Sequence, residues 1–361
     1  MSITNLAKSL SDAGIGYHIV IATPSTVEES HWVELLAKKL YGYLRYRGKQ
    51  KQQFHEPSNF DFGGEVHKAI VFPLQEVFGK VRNVEDALVR LGVQARGTGK
   101  QLTSNRAISV LTWLLQVKIV LLEREASGGV SVKDAGSKTT ASKAFFDSKQ
   151  FCIGIPVLKD MHVELAYLPS QQTIVHELEH ARDFYITGSR DSIGITWDEL
   201  SDFRSCGESY YYDMPEVKAR CKELAVIIKD VLADQYNRLV DAAELAHVDS
   251  SISRPRYQKQ AMQISGYIKQ LLRTPVSFSD WALSGHGSEF IPMQLPANIR
   301  TFVALITKAR AINKNSLLHS IVDESRSNIR AKKALEYTED FLMDLRSSLK
   351  AKYKPVIRWM I

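Results

Sequence analysis

Two histidines and a glutamate stand close together in the pentad His176-Glu177-Leu178-Glu179-His180. Residues four apart on a helix lie on one face, so His176 and His180 can present two imidazoles to a single metal ion. Glu177 lies beside the first imidazole, where its carboxylate can accept a proton from a water that zinc activates. The spacing therefore predicts zinc-dependent hydrolysis, with His176 and His180 as zinc ligands and Glu177 as general base.

Catalytic zinc normally has three protein ligands, so a third is required. A metzincin supplies it six residues after the second histidine, but Ile186 occupies that position and excludes this branch. Downstream, Glu216 stands in the first turn of a long helix predicted from Pro215 to about Ala246. A carboxylate at that position can face the pentad helix, and Glu216 is the predicted third ligand.

Glu216 also has an explanation that needs no metal. Asp213, Pro215 and Glu216 stand where an N-cap residue, a first-position proline and a capping-box glutamate would stand. Glu208 is the next candidate for the third ligand, ahead of other acidic residues in the segment 189–212. The sequence leaves the choice between Glu216 and Glu208 open.

Further residues near the pentad can assist the chemistry. Asp183 shares the helical face of the two histidines and can orient a ligand imidazole, or it can form an ordinary salt bridge with a nearby arginine. The tyrosines Tyr210, Tyr211 and Tyr212 are candidates for stabilising an oxyanion, although each also suits a core or an interface. Glu179 points away from the histidines and is expected to be solvated.

The sequence HELEHARD, followed by a Tyr-rich stretch with Pro-Glu-x-x-Ala-Arg, resembles the gluzincin metallopeptidases. In that group HExxH is followed by a helix whose glutamate is the third zinc ligand. The chain is also similar to compact peptidases found in bacteria and their phages, over roughly residues 151–223. The resemblance implies a polypeptide substrate, which would pair in extended form with a sheet edge at the predicted strand His162–Leu168.

The elements that must position these residues follow from hydrophobic periodicity and from turn residues. A serine-capped helix carries the pentad from Ser170 to Gly188, after strands at Phe151–Val157 and His162–Leu168. The remaining predicted elements are a strand at Tyr17–Ala22 and helices from Thr26 onward and at Val66–Phe78, Val84–Leu91, Arg106–Arg124, Tyr257–Leu272, Ile299–Ala311 and Lys332–Leu349. The predicted fold class is α+β and predominantly helical: a zincin-like core with a small sheet, an HExxH helix and a long glutamate-bearing helix, plus a helical C-terminal region.

Composition suggests four parts of the chain. Residues 1–125 form an N-terminal mixed α/β part, and 126–148, rich in Gly, Ser, Thr and Lys, read as a flexible loop or linker. Residues 149–248 are the predicted zincin-like catalytic core. Residues 249–361 form a helical, basic region, since residues 251–361 hold 18 Lys and Arg against 8 Asp and Glu. This basic region can dock an acidic partner or a nucleic acid, although the net charge of +7 alone does not predict either.

Other functional classes fit less well. Three cysteines in 361 residues cannot form a disulfide framework and favour a reducing compartment. No apolar run reaches the length of a membrane span, so we expect no membrane association and a cytoplasmic location, or a virion-associated one if a phage encodes the chain. The glycines around Gly97 and Gly99 lack the spacing of a phosphate-binding loop.

Three functional hypotheses remain. The first is a zinc metallopeptidase that hydrolyses peptide bonds. The second is a catalytically inactive or metal-stabilised zincin-like module, acting as a structural or interaction protein in an assembly such as a virion or a toxin complex. The third is a non-peptidase zinc hydrolase or a nucleic-acid-associated protein in which the pentad is fortuitous.

Overall fold

The computed structural model describes residues 26–50, 56–62, 65–91, 106–124, 130–134, 137–141, 144–148, 150–160, 162–187, 211–248, 254–284, 295–315 and 326–354. The chain divides into two compact units, residues 1–207 and 208–361. The pentad belongs to the first unit and Glu216 to the second, so the predicted core 149–248 contributes to both. The predicted strand at Tyr17–Ala22 lies outside the described residues. The boundaries predicted at 125, 148 and 248 stay predictions.

The first unit contains a mixed sheet and a separate hairpin. Its strands are β1 (Ser58–Phe62), β2 (Glu65–Pro73), β3 (Lys118–Glu123), β4 (Val130–Asp134), β5 (Ser137–Ala141), β6 (Phe145–Asp147), β7 (Cys152–Lys159) and β8 (His162–Val163). The sheet has the order β1-β2-β3-β7-β6, and β8 also pairs with β7. The pair β3 and β7 is parallel, and the other pairs in this sheet are antiparallel.

The parallel strands β3 and β7 form the buried centre of the sheet. Residues Ile119–Leu122 of β3 and Cys152–Leu158 of β7 are all buried, as expected for strands covered on both faces. Burial also raises the pKa of the Cys152 thiol, which disfavours the thiolate form.

The connection between β3 and β7 passes through the segment 126–148, which its composition predicted to be a flexible loop. The described residues there form strands instead: β4 and β5 pair as an antiparallel hairpin, and β6 joins the main sheet. Asp134 pairs with Ser137, so two residues connect β4 to β5. The Gly and Ser content of this segment suggested a loop. The β-branched residues between the glycines and serines nevertheless favour strand structure.

Strand β8 is shorter than the predicted strand His162–Leu168. After Val163 the chain enters a 3-10 turn at Leu165–Tyr167, in which the Tyr167 N–H donates to the Glu164 carbonyl at 3.1 Å. Arg124 fixes this turn, since its Nε donates to Glu164 at 2.7 Å and its Cζ lies 3.2 Å from the centre of the Tyr167 ring. The edge predicted to receive a peptide is therefore only two residues long in β8.

Four described helices belong to the first unit: α1 (Thr26–Gln50), α2 (Val84–Arg90), α3 (Arg106–Leu114) and α4 (Gln171–Thr187). The helix predicted at Val66–Phe78 is wrong, because this segment forms β2 and a 3-10 turn at Leu74–Phe78. The helix predicted at Arg106–Arg124 is right only as far as Leu114, after which β3 begins. A short continuous apolar run suits a buried strand and a buried helix equally well, and that ambiguity caused both errors.

The second unit is helical throughout its described residues. Its helices are α5 (Met214–Val248), α6 (Arg254–Arg273), α7 (Pro275–Ser284), α8 (Ala297–Asn315) and α9 (Arg326–Lys352). They surround one apolar core that contains Phe278, Trp281 and Phe302. All four helices predicted in this region are confirmed, whereas α7, which starts with Pro275 at its first position, was not predicted.

Taken together, the described residues are predominantly helical with a small mixed sheet, which confirms the α+β class at that level. None of the described helices is long and apolar enough to cross a membrane.

We predict that Gly154→Ala destabilises the first unit by about 1–3 kcal/mol. A Cβ added at Gly154 would overlap the ring of Phe145, which lies across β7 at this point. The matched control is Gly42→Ala within α1, where nothing lies within 4 Å of the added Cβ. That change should stabilise the helix by roughly 0.5–1 kcal/mol. Urea denaturation of both variants measures the difference, and equal effects would contradict the packing found at Gly154.

Candidate metal centre

Helix α4 carries the pentad and begins as predicted. Ser170 precedes its first residue, and the Ser170 hydroxyl accepts a hydrogen bond from the Thr173 N–H at 3.2 Å. The helix continues to Thr187, and the predicted stop at Gly188 lies outside the described residues. Its apolar side chains Ile174, Val175, Leu178 and Ala181 are fully buried, and helices α1 and α3 pack against it.

The two histidines of the pentad meet on one face of α4. Their Nε2 atoms lie 3.0 Å apart, and their rings are nearly perpendicular, with centroids 4.6 Å apart. Both side chains are buried, His176 at 6% and His180 at 9% exposure. The helix thus places two imidazole nitrogens at a common point away from solvent.

This donor pair fits a zinc ion. Zinc binds histidine nitrogen at about 2.0–2.1 Å, and a tetrahedral arrangement then holds two such nitrogens about 3.3 Å apart. The observed Nε2 separation of 3.0 Å is close to that value and needs only small ring rotations to reach it. Imidazole nitrogen also suits other divalent transition metals, so the geometry supports a metal site without identifying the metal.

Glu177 and Asp183 are buried on the same helix, at 7% and 3% exposure. Glu177 follows His176 directly, which is the position required of a carboxylate that accepts a proton beside the metal. Asp183 is seven residues after His176 and three after His180, so it lies on the histidine face. Its buried carboxylate is compatible with the predicted role of orienting an imidazole, and that role stays a prediction.

The expectation that Glu179 is solvated is wrong. Glu179 is fully buried and forms a two-bond ion pair with Arg182, whose Nε and Nη2 donate to its two carboxylate oxygens at 2.9 and 2.5 Å. Helical geometry turns Glu179 away from the histidines, as expected, but that side of α4 is also buried. The opposite charges at positions i and i+3 were the available signal in the sequence.

Glu216 lies in the first turn of α5, in the second unit. Met214 is the first helical residue, so Pro215 takes the second position rather than the first, and the Asp213 carbonyl accepts from the Val217 N–H at 2.8 Å. The Glu216 side chain is 1% exposed, and its Oε1 lies 2.6 Å from Nη2 of Arg220. Arg220 was not predicted to matter, although its spacing of four residues from Glu216 favours an ion pair.

Arg220 connects Glu216 to a second buried carboxylate. Its other terminal nitrogen, Nη1, lies 2.6 Å from Oε2 of Glu223. The amide of Asn298, from α8, lies 3.4 Å from both oxygens of Glu223. The guanidinium is thereby fixed from two sides, and it holds one oxygen of Glu216 in a defined place within the second unit.

The two described tyrosine candidates have different surroundings. Tyr212 is 5% exposed in the apolar core of the second unit, and its hydroxyl donates to the Leu305 carbonyl at 3.2 Å. Tyr211 is partly buried and packs against the same core. An oxyanion role for either tyrosine stays a prediction. The Tyr212 hydroxyl is already bonded to a backbone carbonyl within the core of the second unit.

Tyr210 and Glu208 lie outside the described residues, as does all of the segment 188–210.

Comparisons of the chain with protein-family models, with curated proteins and with solved structures found no match. The resemblance to gluzincins therefore rests on the pentad and on the helix that carries Glu216.

We predict that Arg182→Met lowers the free energy of unfolding by roughly 3–5 kcal/mol, because it leaves the buried Glu179 carboxylate without this partner. The double variant Glu179→Met with Arg182→Met should recover a large part of the loss, since both charges are then removed. Denaturant unfolding followed by circular dichroism measures both.

The control for this experiment is Arg238→Met. Arg238 and Asp234 form an ion pair at 2.9 Å on α5, with both side chains more than half exposed. Its loss should change the unfolding free energy by less than about 1 kcal/mol. An equal effect at positions 182 and 238 would contradict the importance of burial.

Proposed function

We propose that this protein is a zinc-dependent metallopeptidase in which His176 and His180 bind the metal and Glu177 is the general base. The observation that carries the proposal is the convergence of two buried imidazoles, with Nε2 atoms 3.0 Å apart, beside a buried glutamate on the same helix. Two histidines one turn apart with an intervening acid form the donor set that zinc hydrolases use.

The residues of α4 would have separate roles in peptide hydrolysis. Zinc, when bound, lowers the pKa of a coordinated water and polarises the scissile carbonyl. His176 and His180 supply neutral ring nitrogens and keep their geometry because α4 is packed on its apolar side. Glu177 accepts the proton of the attacking water and delivers it to the departing amine. Asp183, one turn beyond His180, would hold an imidazole in the correct orientation.

Glu216 is the proposed third ligand. Its side chain is almost fully buried, and a carboxylate is one of the ligand types that complete a zinc site with two histidines. A carboxylate adds the negative charge that two neutral imidazoles lack. Arg220 binds Oε1 of Glu216 within the second unit and so holds the carboxylate in a defined orientation.

A polypeptide is the proposed substrate, because the pentad and the following glutamate helix resemble gluzincin peptidases. The inactive zincin-like module remains the alternative, and hydrolysis separates the two.

We predict that purified protein contains about one zinc per chain and that Glu177→Gln keeps this metal. Hydrolysis of an unfolded fluorescent protein substrate should fall by about 10²–10⁴-fold in this variant, because the general base is lost. Glu336→Gln on the exposed side of α9 is the matched control and should retain activity. Zinc bound without hydrolysis by the unaltered chain would support the inactive module, and absence of bound metal would overturn the site.

We further predict that Glu216→Gln weakens zinc binding by at least about tenfold, since even residues that only orient a ligand can contribute that much. Competition with a chromophoric chelator measures the dissociation constant, and zinc should raise the melting temperature of the unaltered chain. Glu208→Gln is measured in parallel. If only the change at 208 weakens zinc binding, Glu208 rather than Glu216 is the ligand.

A further inference from the structure

Five aromatic side chains of the first unit meet around Phe184, and we call them the Phe184 cluster: Trp113, Phe146, Phe151, Phe184 and Tyr185. The Phe184 ring centroid lies 4.9 Å from that of Phe151, 6.2 Å from that of Phe146 and 6.5 Å from that of Trp113. Trp113 also stacks on Tyr185, with centroids 5.1 Å apart. The rings come from α3, α4, β6 and the turn before β7.

The Phe184 cluster is not part of the buried core. Each of its five side chains retains solvent exposure, and Phe151 is 44% exposed. Aromatic rings bury large apolar areas when a protein folds, so a contiguous set that stays partly exposed marks a binding surface more often than a scatter of single residues does. The Tyr185 hydroxyl of the cluster lies 2.6 Å from the Ser109 hydroxyl of α3.

Phe151 occupies an unfavourable backbone conformation. Its φ is 52°, in the left-handed region that bulky residues avoid and glycine enters freely. The residue ends the turn between β6 and β7, where Asp147 pairs with Cys152. This conformation directs the ring onto Phe184 and Trp113, with which it makes edge-to-face contacts.

The Phe184 cluster lies beside the proposed catalytic residues along α4. Phe184 is four residues after His180 and seven after Glu177, so all three lie on neighbouring lines of the helix surface. At 1.5 Å per residue, Phe184 is about 6 Å beyond His180 and about 10 Å beyond Glu177 along the helix axis. These two distances correspond to about two and about three residues of an extended peptide.

We propose that the Phe184 cluster is a subsite that binds an aromatic side chain of the polypeptide substrate. The inference rests on the proposed peptidase function and adds specificity to it. The cluster contributes no charge, which favours a neutral occupant, and its tilted and edge-to-face rings offer both faces and edges to another ring. Phe146 belongs to β6, the last strand on this side of the described sheet, where an extended chain can approach.

The test measures binding separately from hydrolysis. The full chain carrying Glu177→Gln is titrated with three blocked pentapeptides that have phenylalanine, leucine or alanine at the centre of four alanines. Trp113 fluorescence reports binding at the cluster, and Trp113→Phe identifies its share among the five tryptophans. We expect the phenylalanine peptide to bind at least about tenfold more tightly than the alanine peptide, with the leucine peptide between them.

Phe151→Gly is the decisive variant, because glycine accepts the backbone conformation and removes only the ring. The variant loses the ring contacts with Phe184 and Trp113 but relieves the backbone strain, so the melting temperature should change little, while the preference for phenylalanine falls to about threefold or less. Tyr46→Ala is the matched control, since Tyr46 is an aromatic residue of α1 that is 58% exposed outside the cluster. It should keep the full preference.

The outcomes separate the two proposals. Equal binding of the three peptides, or a preference that survives Phe151→Gly, overturns the subsite even if the unaltered chain hydrolyses protein. A preference that depends on Phe151 supports the aromatic subsite. If the unaltered chain then hydrolyses no protein, the peptidase function is overturned while the subsite stands. Light scattering tests whether the cluster instead binds a second copy of the chain. A dimer that Phe151→Gly abolishes, together with no fluorescence change on addition of peptide, would assign the surface to self-association and overturn the subsite.

Discussion

The burial of ionisable side chains on α4 is the constraint on which the site depends. Six of the eight residues from His176 to Asp183 are ionisable, and all six are less than 10% exposed. Transferring such groups from water costs several kcal/mol each unless partners or a metal compensate. Glu179 and Arg182 compensate each other. A solvated surface helix that carries the pentad by chance would show none of this burial.

Buried charged side chains on α5, in the second unit, are also compensated by nearby partners. Glu216, Lys222 and Glu223 are nearly inaccessible to solvent, and Arg220 bridges the two carboxylates. The Lys222 ammonium lies 4.9 Å from the centre of the Phe341 ring of α9, which replaces part of its lost hydration. The buried carboxylates of Glu216 and Glu223 on this helix are thus both compensated by the Arg220 guanidinium.

The sequence allowed prediction of those features that depend on local spacing. The pentad helix, its serine cap and four helices of the second unit follow from periodicity and capping residues, and they are confirmed. The strands β2 and β3 were read as helices, because Val66–Phe78 and the apolar run ending at Leu122 have no period that separates the two structures. The spacing of Glu179 and Arg182 indicates their ion pair, but the burial of that pair depends on packing from distant parts of the chain.

The parallel pairing of β3 with β7 has a consequence for how the chain folds. Lys118 pairs with Cys152, 34 positions later, and the described residues between them form the β4–β5 hairpin and β6. The centre of the sheet therefore forms only after a long loop has closed. That closure costs conformational entropy before the strand pairing contributes any stabilisation. The hairpin, which joins β4 to β5 through two residues, can form locally and shorten the effective loop, so it would act as a folding aid for the strand that precedes the pentad helix.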